Sequence, residues 1–157
     1  MHPSYRSMLS VITIIYFAVM AMPVLFGLVI LYLNRSDGLP VDDELNPDLF
    51  KYLVYIMTPA GLAAAYFYYQ QQLKLANEVR ELRPKLSRLQ SILLVRTAFL
   101  EAPALLAGVA TFLTGDLTFL FFILILVGVH VYWRPTIDSI AADLMLSDQE
   151  KIQLQDS

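Results

Sequence analysis

Apolar residues gather into four long runs, separated by charged or turn-rich breaks. The first run carries no charge between Ser7 and Asn34, and the second none between Lys51 and Lys74. The third covers residues 91–114 and the fourth residues 117–133. A helix needs about 20 residues to cross a hydrocarbon core ~30 Å thick. The pattern therefore predicts an all-α fold, a four-transmembrane-helix bundle with spans at about 8–33, 49–72, 91–114 and 117–133. The first run exceeds the roughly 7–15 apolar residues of a signal peptide and ends in no small-x-small cleavage site, so it is read as a retained span.

Local chemistry marks the helix ends. Asn46 can cap the second helix, with Pro47 in its first turn and Asp48 at its positive end. Gly115 can end the third helix and Asp116 can cap the fourth, which gives a tight turn; Pro135 stops the fourth. The second helix is expected to run out of the membrane to about residue 81, where Pro84 breaks it and opens the third. Leu75, Val79 and Leu82 before the break and Leu86, Leu89 and Leu93 after it form two stripes, predicting a helical hairpin extension outside the membrane. Residues 1–134 thus form the bundle, and residues 135–157 an amphipathic tail of short helices. Ile137, Ile140, Ala141 and Leu144 make its stripe, and Ser147 and Glu150 have capping-box spacing. The tail is expected to pack on the bundle's own end or to dock a partner.

Composition agrees with a bilayer environment. The chain is 57% hydrophobic and 16% charged, against about 45–50% and about 25% for soluble domains. It has no cysteine, which excludes disulfides, thiol catalysis and zinc–thiolate or iron–sulfur sites. A net charge of −3 argues against nucleic acid as a partner. Charge also orients the bundle. Lys74, Arg80, Arg83, Lys85 and Arg88 lie between spans two and three, whereas Asp37, Asp42, Asp43, Glu44 and Asp48 precede span two. The positive-inside rule places the basic connection and both termini in the cytoplasm.

Candidate chemistry sits in one polar layer. Glu101 lies midway along the third span, and an ionisable group at that depth is by default a functional candidate. Pro23, Pro59 and Pro103 fall near one level in three helices, where each frees a carbonyl that needs a partner. A protonated Glu101 could donate to one of these or to Thr58, acting either as interhelical glue or as a proton or ion site. Arg96 is about 140° around the helix from Glu101, too far for a good pair. It is read as a snorkelling or headgroup-binding residue. His130 reaches a similar depth and is read as interfacial, or as sharing a polar vestibule with Arg96. Gly61 and Ala65 of span two and Ala104 and Gly108 of span three offer a small-residue packing seam, with the Glu101 carboxyl turned toward span two. No nucleophile–base pair, phosphate loop or paired carboxylate is visible, and two distant histidines make a poor metal set, so no catalytic residue, metal or cofactor is expected.

Residues 89–146, with the Arg96–Glu101 helix, the Thr114–Gly115 turn and Arg134–Pro135 before an amphipathic tail, resemble a group of short four-helix membrane proteins of Bacteroidota-type bacteria. The resemblance implies a multi-pass protein of the bacterial inner membrane and carries no activity with it. Locally, Phe99 to Val109 is similar to the ion-carrying helix of rotary ATP synthase ring subunits, though span two lacks that family's glycine-repeat partner helix. The functional expectation is a non-enzymatic accessory or scaffold subunit, in contact with the lipid bilayer and with a membrane-protein partner or further copies of itself. The alternative is a small proton- or ion-coupled carrier or channel using Glu101.

Overall fold

The computed structural model describes residues 5–36, 38–39 and 46–156, and its regular structure among these is all helical. Six α-helices follow one another: α1 (Tyr5–Ser36), α2 (Pro47–Asn77), α3 (Leu82–Thr114), α4 (Leu120–Tyr132), α5 (Ile137–Asp143) and α6 (Asp148–Asp156), with a 3-10 turn, Leu117–Phe119, leading into α4. Asp37, Pro40, Asp42, Asp43 and Glu44 of the expected acidic loop lie outside the described residues.

Each boundary has a local cause. The Asn46 side chain accepts the Asp48 N–H at 3.0 Å, and Pro47 is the first residue of α2. Gly115 ends α3 in the left-handed conformation, φ 72°, with its N–H donated to the Thr111 carbonyl at 2.9 Å. Asp116 then accepts the Thr118 N–H at 2.9 Å, and bonding to Thr118 holds its carboxyl below the usual carboxylate range. Thr136 and Ser139 form a capping box at α5, and Ser147 and Glu150 bond reciprocally at α6. Met145 takes φ 48° between α5 and α6, while the Leu146 N–H bonds back to Ala141 at 2.9 Å. A glycine-type C-cap is thus carried by an exposed methionine.

Helices α1 and α3 are long and apolar enough to cross a membrane. Leu117–Tyr132 joined to α5 makes a third candidate if that pair, bent by 76°, is one span. Pro135 causes the bend, since it has no N–H to continue α4 and pushes Arg134 out of the helical region. Among the described residues α2 does not reach the same apolarity, because Tyr52, Tyr55, Tyr66, Tyr68 and Tyr69 dilute its run. Two or three helices that could cross a membrane are therefore established, where the sequence pattern predicts four.

Helix α3 is the centre of the bundle, packing along α2, α1 and α4. One end carries the turn after α3, here called the turn end, where Val54, Ala107, Ala110, Phe119 and Ile123 close the interior. Ala65, Leu100, Ala104 and Leu126 fill the middle. The other end carries the α2–α3 connection and the tail. Its core joins Leu9 and Ile12 of α1, Tyr69 and Ala76 of α2, Leu86 and Leu89 of α3, and Ile140, Leu144 and Leu154 of the tail. Lys151 of α6 pairs with Asp138 of α5 at 2.9 Å across this cap.

The hairpin differs from its sequence reading. Helix α2 ends at Asn77, not near residue 81, and Leu75 is 43% exposed. Ala76 takes the inward position, fully buried, opposite Leu86 and Leu89. The leucine stripe of α3 shares this core with Leu144 and Leu154 of the tail, and Leu75 of α2 does not join it, so the two arms do not zip on their own stripes.

Candidate functional site

The polar groups do not form one layer. Thr58 is buried, and its hydroxyl has no hydrogen-bond partner, so it does not hold Glu101. Glu101 is half-buried, on the stripe of α3 that includes Thr97 and Gly108. Thr97 borders a small gap with Ile12, Ile15 and Tyr16 of α1, and a Cβ on Gly108 would lie 2.5 Å from the Phe26 ring of α1. That stripe faces α1, which corrects the expectation that Glu101 and Gly108 turn toward α2. Gly108 is small to admit Phe26, not to admit α2.

The α2–α3 seam is built elsewhere. A Cβ on Gly61 would lie 2.6 Å from the Phe99 carbonyl oxygen and 2.9 Å from the Pro103 ring. Pro103 has no N–H to offer the carbonyl four residues before it, which is that of Phe99. The freed carbonyl therefore presses on the one residue of α2 that has no side chain. Ala65 and Ala104 belong to the mid-bundle cluster with Leu100 and Leu126, so Ala104 packs toward α2 and α4.

His130 is 1% exposed and serves to join helices. Its backbone carbonyl accepts the Tyr16 hydroxyl of α1 at 2.7 Å. Its Nδ1 lies 3.1 Å from the Leu126 carbonyl, which makes Nδ1 the protonated nitrogen. Nε2 is buried without a partner, and His130 does not line the polar cavity beside Arg96, so the vestibule expected from these two residues is not formed.

Arg96 is the centre of the arrangement that does form. The residue is 7% exposed, and its guanidinium lies 4.2 Å from the Tyr69 ring centroid and 4.2 Å from the Trp133 ring centroid. The sequence reading of a snorkelling side chain is replaced by a cation held between two aromatic faces. No carboxylate of the described residues lies within 4.0 Å of it. Tyr69 comes from the last third of α2, and Trp133 follows α4 at the bend toward α5. The Tyr69 hydroxyl donates to Asp143 Oδ2 at 2.5 Å, and Asn77 Nδ2 donates to the Asp143 carbonyl at 3.0 Å. These bonds fix the end of α5 against α2.

Beside Arg96 opens a cavity of about 400 Å³, with Arg134, Gln70, Ser139 and Asp143 on its polar walls and Tyr66, Tyr132 and Trp133 among its aromatic ones. Of this set the sequence pattern marks Arg96 as a candidate; Tyr69 and Trp133 are aromatics near helix ends, of the kind that belts a membrane interface, and Asp143 lies off the tail's apolar stripe. The available signal was the coincidence of Arg96, Trp133 and Arg134 at the same end of antiparallel helices. Among the described residues no group of three or more histidines or acids could hold a metal ion.

Fold and site together define an all-helical protein with two or three helices able to cross a membrane and a polar, aromatic-walled cavity at its tail end. No protein-family model matches the chain, and neither the curated proteins nor the solved structures hold a match to it.

Proposed function

We propose that this chain is a four-pass protein of the bacterial inner membrane that acts as a non-enzymatic accessory or scaffold subunit. The fourth crossing is α2. Its outward residues Leu53, Ile56, Met57 and Phe67 are exposed and apolar, as are Ile14, Leu25 and Leu28 on α1. An apolar surface this broad fits lipid, not water. The basic connection between α2 and α3 sets the tail end in the cytoplasm. The bacterial assignment rests on the resemblance carried by residues 89–146.

The observation that favours a scaffold over a carrier is the separation of the polar groups. Transport of a proton or ion past Glu101 needs polar stepping stones on both sides of it. Glu101 has no hydrogen-bonded partner among the described residues, and the turn end beyond it is closed by Val54, Ala107, Phe119 and Ile123. A partner would be a membrane protein that covers part of the apolar surface.

The test is Glu101→Gln, which keeps the shape and a hydrogen-bond donor. Proton flux into liposomes should be at the empty-vesicle level for wild type and variant alike, and both should fold equally well. A wild-type flux that the Gln variant abolishes would replace the scaffold with the carrier. A stoichiometric membrane-protein partner recovered in mild detergent would support the scaffold directly.

A further inference from the structure

We infer that the cavity beside Arg96 binds the headgroup of a zwitterionic, amine-bearing phospholipid, with the phosphate on the arginine side, the ammonium on the Asp143 side and an acyl chain in the groove between α2 and α4. The site is independent of whether the chain is a scaffold or a carrier.

The phosphate end follows from Arg96. A guanidinium has five N–H donors in its plane. Tyr69 and Trp133 cover its two faces and attract its charge, and the Tyr69 hydroxyl alone cannot occupy five in-plane donors. Asp143, held by Tyr69, supplies opposite charge nearby, but no carboxylate of the described residues lies in ion-pair range of the guanidinium. Arg96 and Arg134 both line the cavity. Two guanidinium groups at one opening suit a phosphate, which accepts bidentate bonds from such forks.

The ammonium end follows from Asp143. A purely anionic headgroup would meet this carboxylate, which lines the same cavity, and be repelled. Tyr69 engages one of its oxygens, which leaves the other for a cation. The bond from Asn77 to its backbone keeps the group in place. Tyr66 and Tyr132 add aromatic surface of the kind that receives an ammonium. A ligand with a phosphate and an amine a few atoms apart matches both poles.

The acyl chain follows from what adjoins the cavity. Tyr66, Tyr132 and Trp133 also line a second, apolar groove, with Leu62, Ile125 and Gly128 further along it. The polar cavity and the apolar groove thus share one aromatic rim. Nothing lies within 4 Å of a Cβ placed on Gly128, so the groove is open where a chain would run. An amphipathic ligand fills both spaces, whereas a soluble phosphate compound fills one.

Trp133 is the only tryptophan of the chain and stands on that rim, so its emission reports occupancy. Purified protein in a neutral detergent would be titrated with short-chain phosphatidylethanolamine, short-chain phosphatidylglycerol and O-phosphoethanolamine, with native mass spectrometry counting bound molecules. We expect saturable binding of the ethanolamine lipid, at least about tenfold tighter than the glycerol lipid and than O-phosphoethanolamine. Asp143→Asn keeps the acceptor for Tyr69 and should remove the preference for the ethanolamine lipid. Gly128→Leu should weaken both lipids about tenfold and leave O-phosphoethanolamine unchanged. Arg134→Ala should weaken all three. Absence of binding by both readouts, equal binding of the two lipids to wild type, or an unchanged preference in Asp143→Asn would overturn the assignment. Binding of O-phosphoethanolamine as tight as that of the lipid would overturn the lipid source and leave a site for a soluble phosphate compound.

Discussion

Gly61→Ala is expected to destabilise the bundle by about 3 kcal/mol, more than any other single added methyl at a helical glycine of this chain. The methyl would stand 2.6 Å from a backbone oxygen, that of Phe99, and 2.9 Å from the Pro103 ring. Neither can rotate away. Relief requires α2 and α3 to separate, and with them the packing of Ala65 against Leu100 and Ala104. Gly108→Ala meets the Phe26 ring at 2.5 Å, but that side chain is only half-buried and can tilt, so its cost should be about half as large. Gly128→Ala meets nothing within 4 Å and should stay within about 0.5 kcal/mol of wild type. Unfolding midpoints in one detergent rank the three. A Gly61→Ala variant as stable as Gly128→Ala would mean that α2 and α3 do not touch at this point.

Arg96→Ala is expected to cost about 2–4 kcal/mol, since it removes a cation from between two rings together with the methylene stem that packs beneath them. Bulk alone does not account for this loss, and a double-mutant cycle separates the contributions. Arg96→Ala, Trp133→Leu and the double variant should give a coupling energy of at least about 1 kcal/mol, because each ring attracts the guanidinium at 4.2 Å. Coupling within a few tenths of a kcal/mol would mean that Trp133 merely adjoins Arg96. Tyr69→Phe is a companion case. It keeps the ring over Arg96 but loses the bond to Asp143, so it should loosen α5 and leave the coupling intact.

These two sites also mark how far the sequence could be read. Most helix ends, though not that of α2 at Asn77, were legible because they are written in adjacent residues: Asn46 with Pro47, Gly115 with Asp116, Pro135 alone, Ser147 with Glu150. Each of these depends on backbone groups within a turn of itself. The rotation of each helix about its axis was not legible. Helix α3 carries apolar residues on every side, so no stripe says which neighbour a given face meets. Small residues suggested a face toward α2. Gly61, Ala65 and Ala104 lie along α2–α3 contacts, whereas Gly108 makes room for an aromatic ring of α1.

Glu101 and Arg96 exchanged prominence for a related reason. A lone carboxylate in an apolar run stands out in the sequence, yet Glu101 sits at the edge of its stripe, half-buried. Arg96, five residues earlier and on the other side of α3, is the more deeply buried group. What buries it comes from positions 69 and 133, on two other helices. Their side chains read equally well as interfacial aromatics. Pairing across three helices depends on tertiary packing and leaves no local periodicity to read.

The proposed arrangement has α2 crossing the membrane together with the other three long helical segments, with the tail end in the cytoplasm. The chain has no cysteine, so single cysteines can be placed without background. Asp43→Cys and Thr118→Cys should react with a membrane-impermeant maleimide on intact cells whose outer barrier is open to it. Ser87→Cys and Asp148→Cys should react only after the inner membrane is permeabilised. Reaction at position 87 in intact cells, or protection of position 43, would contradict the four-pass arrangement.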